Sequence, residues 1–246
     1  MSPNNQIERG KPPTKRRRRR RRSLDPRAIL TPAEVTRVLA YLDARSQRSP
    51  HTWQKAVIFR LTVIAGLRAS EIALLELRDM HLDQEDAYIE LRPEAAKYGS
   101  ARDIPVITVS YTAVENWRKW LTFRREMGAG PRDPVCCTLT RLTKCVRGHA
   151  TEIGQPLSRF QVWQKWKSAV RILGPARVSK LHTHSGRHTC ATQLLRSGRP
   201  LTFVRDFLGH TSIAMTSLYL HVCPEDLSRR GELYGPTPSD GAARAT

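Results

Sequence analysis

Residues His182 to Val222 read HTHSGRHTCATQLLRSGRPLTFVRDFLGHTSIAMTSLYLHV. The pattern predicts three helices: His184 to Arg196, Leu201 to Leu208 and Ser212 to Val222. Within this stretch stand His184, Arg187, His210 and Tyr219, and far upstream Arg68 lies in AGLRASEI. Two guanidiniums, two imidazoles and one phenol can hold a phosphodiester, neutralise its developing charge, attack it and shuttle a proton, with no metal required.

The spacing says how these groups can meet. His184 and Arg187 are three apart at a helix start and share a face. His210 and Tyr219 are nine apart, opposite faces of an unbroken helix. Gly209 permits a tight turn, and Thr211 or Ser212 can cap a new helix beyond it. Convergence requires that break. Each residue also has a plainer reading. Tyr219 completes an i, i+3, i+4, i+7 stripe with Met215, Leu218 and Val222, which suits core packing. His210 alone suits a turn bonded to backbone. Arg68 suits a structural ion pair with Glu71. His182, His184 and His188 suggest a metal, although Arg187 among them repels a cation and no acid is adjacent. Cys136, Cys137, Cys145 and His149 suggest another, although their spacing fits no zinc pattern well.

Working outward, Thr31-Pro32-Ala33-Glu34 is a capping box with proline at the first helical position. Val35, Val38, Leu39 and Leu42 then form one apolar face. A central helix is predicted from Thr52 to Ala65, ended by Gly66, and a short one from Ser70 to Leu77. Asp86 to Arg92 and Arg102 to Val109 alternate as two strands, with turn residues Lys97-Tyr98-Gly99-Ser100 between them. Ser110 to Glu126 is amphipathic, with Val114, Trp117, Trp120 and Leu121 inward. Met127 to Gln155 reads as loop with short strands. Pro156 to Leu173 is predicted helical, with Phe160, Trp163, Trp166 and Val170 inward, the tryptophans as core. The expected fold class is mainly α with a small antiparallel β-hairpin or sheet.

The chain has 246 residues, 39% of them hydrophobic, and a formal net charge of +20. Its first 22 residues carry ten basic groups and one acid, so the body is basic in its own right. A polyanion, first of all nucleic acid, is the partner this implies. Residues 1–25 read as a disordered arm. Its run of Lys15, Arg16, Arg17, Arg18, Arg19, Arg20, Arg21 and Arg22 suits phosphate tracking through counterion release, and a basic run also fits nuclear localisation. Five cysteines, an odd count without a secretory leader, suggest reduced intracellular thiols. The longest apolar stretch is broken by Arg60, so no membrane span is expected.

At this point the chain resembles the tyrosine recombinase (phage integrase) family over roughly Thr31 to Val222. AGLRASEI resembles the family's first arginine box. AAKYGSARDIPV resembles its lysine turn, ending in a basic-x-x-Pro element, here Arg102 to Pro105. HSGRHTCAT resembles its H-x-x-R-H box and LGHTSIAMTSLY its final box. Any one box is weakly specific, but four in order with matching intervals are not. Gly186 departs from the pattern, where the family usually has an apolar residue, often leucine. That departure suggests a looser seat for His184 and Arg187.

The resemblance implies roles. Tyr219 is the nucleophile and forms a 3′-phosphotyrosyl link. Arg68 and Arg187 clamp the non-bridging oxygens, His184 takes the tyrosine proton, Lys97 is the acid for the departing 5′ oxygen, and His210 completes the phosphate site. No cofactor is implied, since the phosphotyrosine keeps the bond energy. The implied function is a site-specific DNA recombinase or integrase of the cytoplasm and nucleoid, acting on double-stranded DNA as a tetramer at a four-way junction. The alternatives are a type IB topoisomerase-like strand passer, an inactive DNA-binding accessory protein, or a metal-dependent nuclease. Many members carry a helical core-binding domain before the catalytic one, whereas here only the arm precedes Thr31. The expected organisation is an arm (1–25), a catalytic domain (26–226) and a flexible tail (227–246), with Pro224 to Tyr234 suited to docking on a neighbour.

Overall fold

Helix α2 (Pro50–Val63) is the axle of the fold. Ala56, Val57, Ile58, Phe59, Leu61 and Val63 are all buried and run round the helix rather than along one stripe. A helix apolar all round must be enclosed. Helices α1 (Pro32–Ser46), α4 (Tyr111–Glu126), α5 (Arg159–Ala169) and α7 (Ser185–Arg196) pack about it, with the single turn α6 (Pro175–Val178) between α5 and α7. The computed structural model describes residues 24–83, 85–96, 100–106, 111–140, 152–182 and 184–220.

The helix starts follow local chemistry. Thr31 and Glu34 close the predicted capping box at α1, each side chain accepting the other's backbone N–H, at 3.2 and 2.8 Å. Val35, Val38 and Leu42 face inward as expected. Helix α2 begins two residues before the predicted Thr52, because Ser49 caps it and Pro50 takes the first position. It ends at Val63, two residues short of the predicted Ala65; Gly66 beyond it, at φ +65°, turns the chain, and the Leu67 N–H reaches back to the Leu61 carbonyl at 2.9 Å. The third helix is shorter than predicted: α3 spans Ala69–Ala73, and a 3-10 turn follows at Leu77–Asp79.

The sheet has three antiparallel strands in the order β1 (Met80–His81), β2 (Tyr88–Leu91) and β3 (Arg102–Pro105). Ile89 pairs with Met80 on one side and Ile104 on the other, and Leu91 pairs with Arg102. The sequence suggested two strands; β1, two residues long, is too short to carry a period. Strand β3 packs against α8 (Leu201–Leu208), which brings the sheet to the end of the helical layer.

Two expectations about the core part company. Trp117 and Trp120 are fully buried, and the Trp120 indole N–H donates to the Val135 carbonyl at 2.9 Å. On α5, however, the inward residues are Val162, Trp166 and Ala169. Phe160 is 59% exposed and Trp163 half-buried, the two rings resting on each other with centroids 5.4 Å apart. Helix α5 starts at Arg159, and its rotation is set by the Trp166 indole, which donates to Thr62 Oγ1 of α2 at 2.8 Å. Between α4 and α5 the chain is tied to the turn after α3: Leu77 N–H to the Asp133 carbonyl and Val135 N–H to the Leu75 carbonyl, each 2.9 Å. Cys136 and Cys137 are buried there; Cys145 and His149 lie outside the described residues.

Candidate active site

The ends of α2 and α8, the start of α3, the first residue of β3 and the first turn of α7 converge on one buried carboxylate. Glu71 occupies the third position of α3, where its Oε2 accepts the Arg68 backbone N–H at 2.8 Å. Its Oε1 accepts from the Arg68 guanidinium at 2.6 Å, and Arg102 approaches Oε2 at 3.3 Å. The Glu71 side chain is fully buried. Burial pushes its acidity down, but Arg102, Arg187 and Arg68 outweigh that and hold the carboxyl below its usual range.

Arg187, in the first turn of α7, is buried as well. It donates to the Gly66 carbonyl at 2.7 Å and to the Leu208 carbonyl. Both acceptors belong to helix ends, where carbonyls lack intrahelical partners and the dipole favours cations. Burial, then the like charge of Arg68, brings Arg187 down to about 9, still cationic at neutral pH. Arg102 donates to the Phe207 carbonyl at 3.0 Å and lies across Gly209. A Cβ on Gly209 would stand 2.7 Å from the Arg102 guanidinium, and φ there is +63°. Only glycine suits that position. Three guanidiniums against one carboxylate leave an excess of two positive charges, which matches a phosphodiester gaining charge on its way to a pentavalent state.

Gly209 makes the expected turn, in the left-handed conformation, and Ser212 caps α9 (Ile213–Ser217), which is shorter than the expected Ser212 to Val222, so that Tyr219 stands just past its end. The break therefore exists, and it brings His210 and Tyr219 together. Their rings are parallel, 2° apart in plane, with centroids 6.3 Å apart. His210 Nδ1 shares a hydrogen bond with Thr216 Oγ1 at 2.9 Å. Tyr219 is 4% exposed, so its core reading is also correct: it packs inward and presents its hydroxyl. That hydroxyl meets His188 Nδ1 at 2.9 Å. Burial raises the phenol to about 12, and burial lowers both His210 and His188 to about 3. In the free protein the phenol thus holds its proton and shares a hydrogen bond with a neutral imidazole.

Arg68, Arg187, His210 and Tyr219 are drawn into one neighbourhood. His184 occupies the N-cap position of α7 and is exposed, its ring centroid 6.1 Å from that of His188. Lys97, Val222, the Pro224 to Tyr234 segment and the basic run from Lys15 to Arg22 lie outside the described residues. Gly186 corrects an expectation. Its position is not loose, because a Cβ there would stand 2.5 Å from Thr62 Oγ1 and 3.2 Å from the Trp166 indole nitrogen. The space a leucine would fill is taken by that hydrogen-bonded pair. Three residues had no role in the site from sequence. Glu71 appeared only as the plain partner of Arg68, Arg102 only as part of a turn motif, and His188 only as a candidate metal ligand. Among the described residues, no three His, Cys, Asp or Glu groups are arranged to hold a metal, and no helix is long and apolar enough to cross a membrane.

Similar proteins share this arrangement of elements. The tyrosine recombinase XerD of Staphylococcus saprophyticus is 26% identical over 206 residues, covering 82% of this chain and 62% of that protein. The tyrosine recombinase XerC of Pseudomonas entomophila is 30% identical, covering 77% of this chain and 55% of that protein. The chain thus spans about six-tenths of the length of the curated relatives it matches. Among solved structures, XerA recombinase superposes with a TM-score of 0.60 at 20% identity, over 85% of this chain and 64% of that one. XerH site-specific recombinase, in a post-cleavage complex with its palindromic difH substrate, gives 0.62 at 16% identity, over 86% of this chain and 54% of that one. The sequence pattern of the phage integrase family matches residues 28–226, from the turn before α1 to beyond the buried tyrosine, and the chain belongs to that family.

Proposed function

We propose that this chain is a site-specific DNA recombinase or integrase that breaks and rejoins DNA through a covalent 3′-phosphotyrosine. One observation carries the reading: a buried tyrosine hydroxyl within electrostatic reach of Arg187 and Arg68, in a cluster whose net charge suits one phosphodiester. The Tyr219 oxygen attacks phosphorus, the bond to the 5′ oxygen breaks, and the 5′ hydroxyl departs with a proton. Arg68 and Arg187 bind the non-bridging oxygens, arginine's planar fork matching the charge that develops there. Each such preorganised donor is worth about 3–4 kcal/mol of barrier. His210 hydrogen-bonds the same phosphate, and Lys97 supplies the proton to the leaving oxygen. His184 faces the phosphate from the exposed end of α7. The phosphotyrosine conserves the energy of the broken bond, so religation is the same step reversed and no ATP or metal enters.

The substrate is double-stranded DNA, and four protomers on a four-way junction form the working assembly. Two structural neighbours support this: a post-cleavage XerH complex with its DNA substrate, and a lambda integrase tetramer bound to a Holliday junction. Action on chromosomal or mobile-element DNA places the protein at the nucleoid in the cytoplasm. Covalent complexes trapped on genomic DNA, with the attached ends sequenced, test the reading. Wild type forms an adduct at defined sites and Tyr219→Phe forms none. An adduct that persists in the phenylalanine variant overturns it.

A further inference from the structure

We propose that His188, and not only the His184 of the motif, is the group that takes the proton from Tyr219 as the phosphotyrosyl bond forms. The inference rests on the function proposed above. Among the described contacts, the hydrogen-bond partner of the Tyr219 hydroxyl is His188 Nδ1, at 2.9 Å. A general base must stand within hydrogen-bond reach of the proton it takes, directly or through one water, and this contact is direct. His184 occupies the N-cap position of α7, with its ring centroid 6.1 Å from that of His188.

The position of His188 follows from the helix. It is one residue beyond Arg187, so the same first turn of α7 aims the guanidinium at the ends of α2 and α8 and the imidazole at the segment after α9. Tyr219 is presented to it by the Gly209 break. The groups facing His188 are His182 and His184 from the chain entering α7, Arg187 on α7, His210 from the turn, and Tyr219 itself. Burial first, then His182, His184 and Arg187, disfavours a positive charge on the ring, so the imidazole is neutral in the free protein and has a nitrogen lone pair to take a proton. A bound phosphodiester brings negative charge against the arginines and weakens that opposition.

The phenol O–H bond breaks and its proton moves to Nδ1 while the oxygen's electron pair forms the bond to phosphorus. The P–O5′ bond breaks, and the 5′ oxygen receives its proton from the leaving-group acid. Transfer accompanies attack because the phenol oxygen loses its basicity as it bonds to phosphorus. The imidazolium proton stays available to return to the phenolate on religation. His182 and His184, both exposed with ring centroids 5.6 and 6.1 Å from His188, lie on the side open to solvent.

The test uses the full chain and nicked duplexes carrying the attached ends recovered from the trapped complexes. His188→Ala should slow adduct formation by about 10²–10⁴, the usual worth of a positioned acid or base, and added imidazole should restore part of it. His188→Asn keeps an acceptor oxygen near the place of Nδ1 but cannot hold a proton at neutral pH. It should fold as wild type by thermal unfolding and still lose cleavage. Cleavage at the wild-type rate by either variant overturns the inference alone, and so does the absence of imidazole rescue. A wild-type chain that forms no adduct refutes the proposed function itself.

Discussion

Glu71→Gln removes one charge from the centre of the arginine cluster while keeping the shape of the side chain. The carboxylate is fully buried, and its partners Arg68 and Arg102 are only 12% and 8% exposed, so solvent screens the pairs weakly. At 2.6 and 3.3 Å the gross attraction is about 5–6 kcal/mol for each pair at an effective dielectric of about 20. Most of that offsets the cost of taking the ions out of water. What removal exposes is the unpaired remainder, and breaking one side of a buried ion pair costs about 3–5 kcal/mol. The glutamine amide also turns an N–H₂ towards a guanidinium that formerly met an oxygen. The expected result is an unfolding free energy from urea titration lowered by about 3–5 kcal/mol at neutral pH, with an earlier midpoint and unchanged slope, a large part of a domain's about 5–15 kcal/mol. The pH dependence carries a second signature. Glu71 is held below its unfolded value of 4.5, so its contribution is fully present above that pH and is lost as pH falls through the lower folded value. The wild-type stability curve should bend downward more steeply in that acid range than the variant's, in which Glu34 still titrates. A loss under about 1 kcal/mol, or parallel acid limbs, would refute the carboxylate as organiser of the site.

Two further outcomes follow from particular residues. Gly186→Leu, a change towards the residue usual in the family, should destabilise this chain by about 1–3 kcal/mol through overpacking, because Thr62 and the Trp166 indole hold that space; a chain of equal or greater thermal stability speaks against the packing described. Deleting residues 1–22 should weaken DNA binding and flatten its salt dependence, each lost phosphate contact taking about 0.9 from the slope of log K against log salt, and an unchanged slope removes the arm from the interface.

Much of the helical layer was legible from local chemistry. Thr31 and Glu34, Gly66, Gly209 and Ser212 act within four residues of themselves, so their capping and turn roles can be read without a partner. The helix Leu201–Leu208 stands where its pattern put it, and the reading of Arg68, Arg187, His210 and Tyr219 as one group came from spacing and resemblance together. Where the periodicity was ambiguous it misled. Phe160 and Trp163 share a stripe with Trp166, yet the helix turns on the Trp166 bond to Thr62, a partner over a hundred residues away.

The sequence by itself determined the inventory: which groups could do phosphate chemistry, where the chain must break for His210 and Tyr219 to meet, and that the body is basic. Only the tertiary structure decided the partnerships. Glu71 became the hub of three arginines because β3 packs against α8 and carries Arg102 across Gly209. His188 became the partner of Tyr219 because two helix ends, thirty-one residues apart, face each other. Gly186 proved to be a filled position rather than an empty one. Periods and caps are local and survive in one dimension, whereas a buried charge or a filled space is defined by what arrives from elsewhere in the chain.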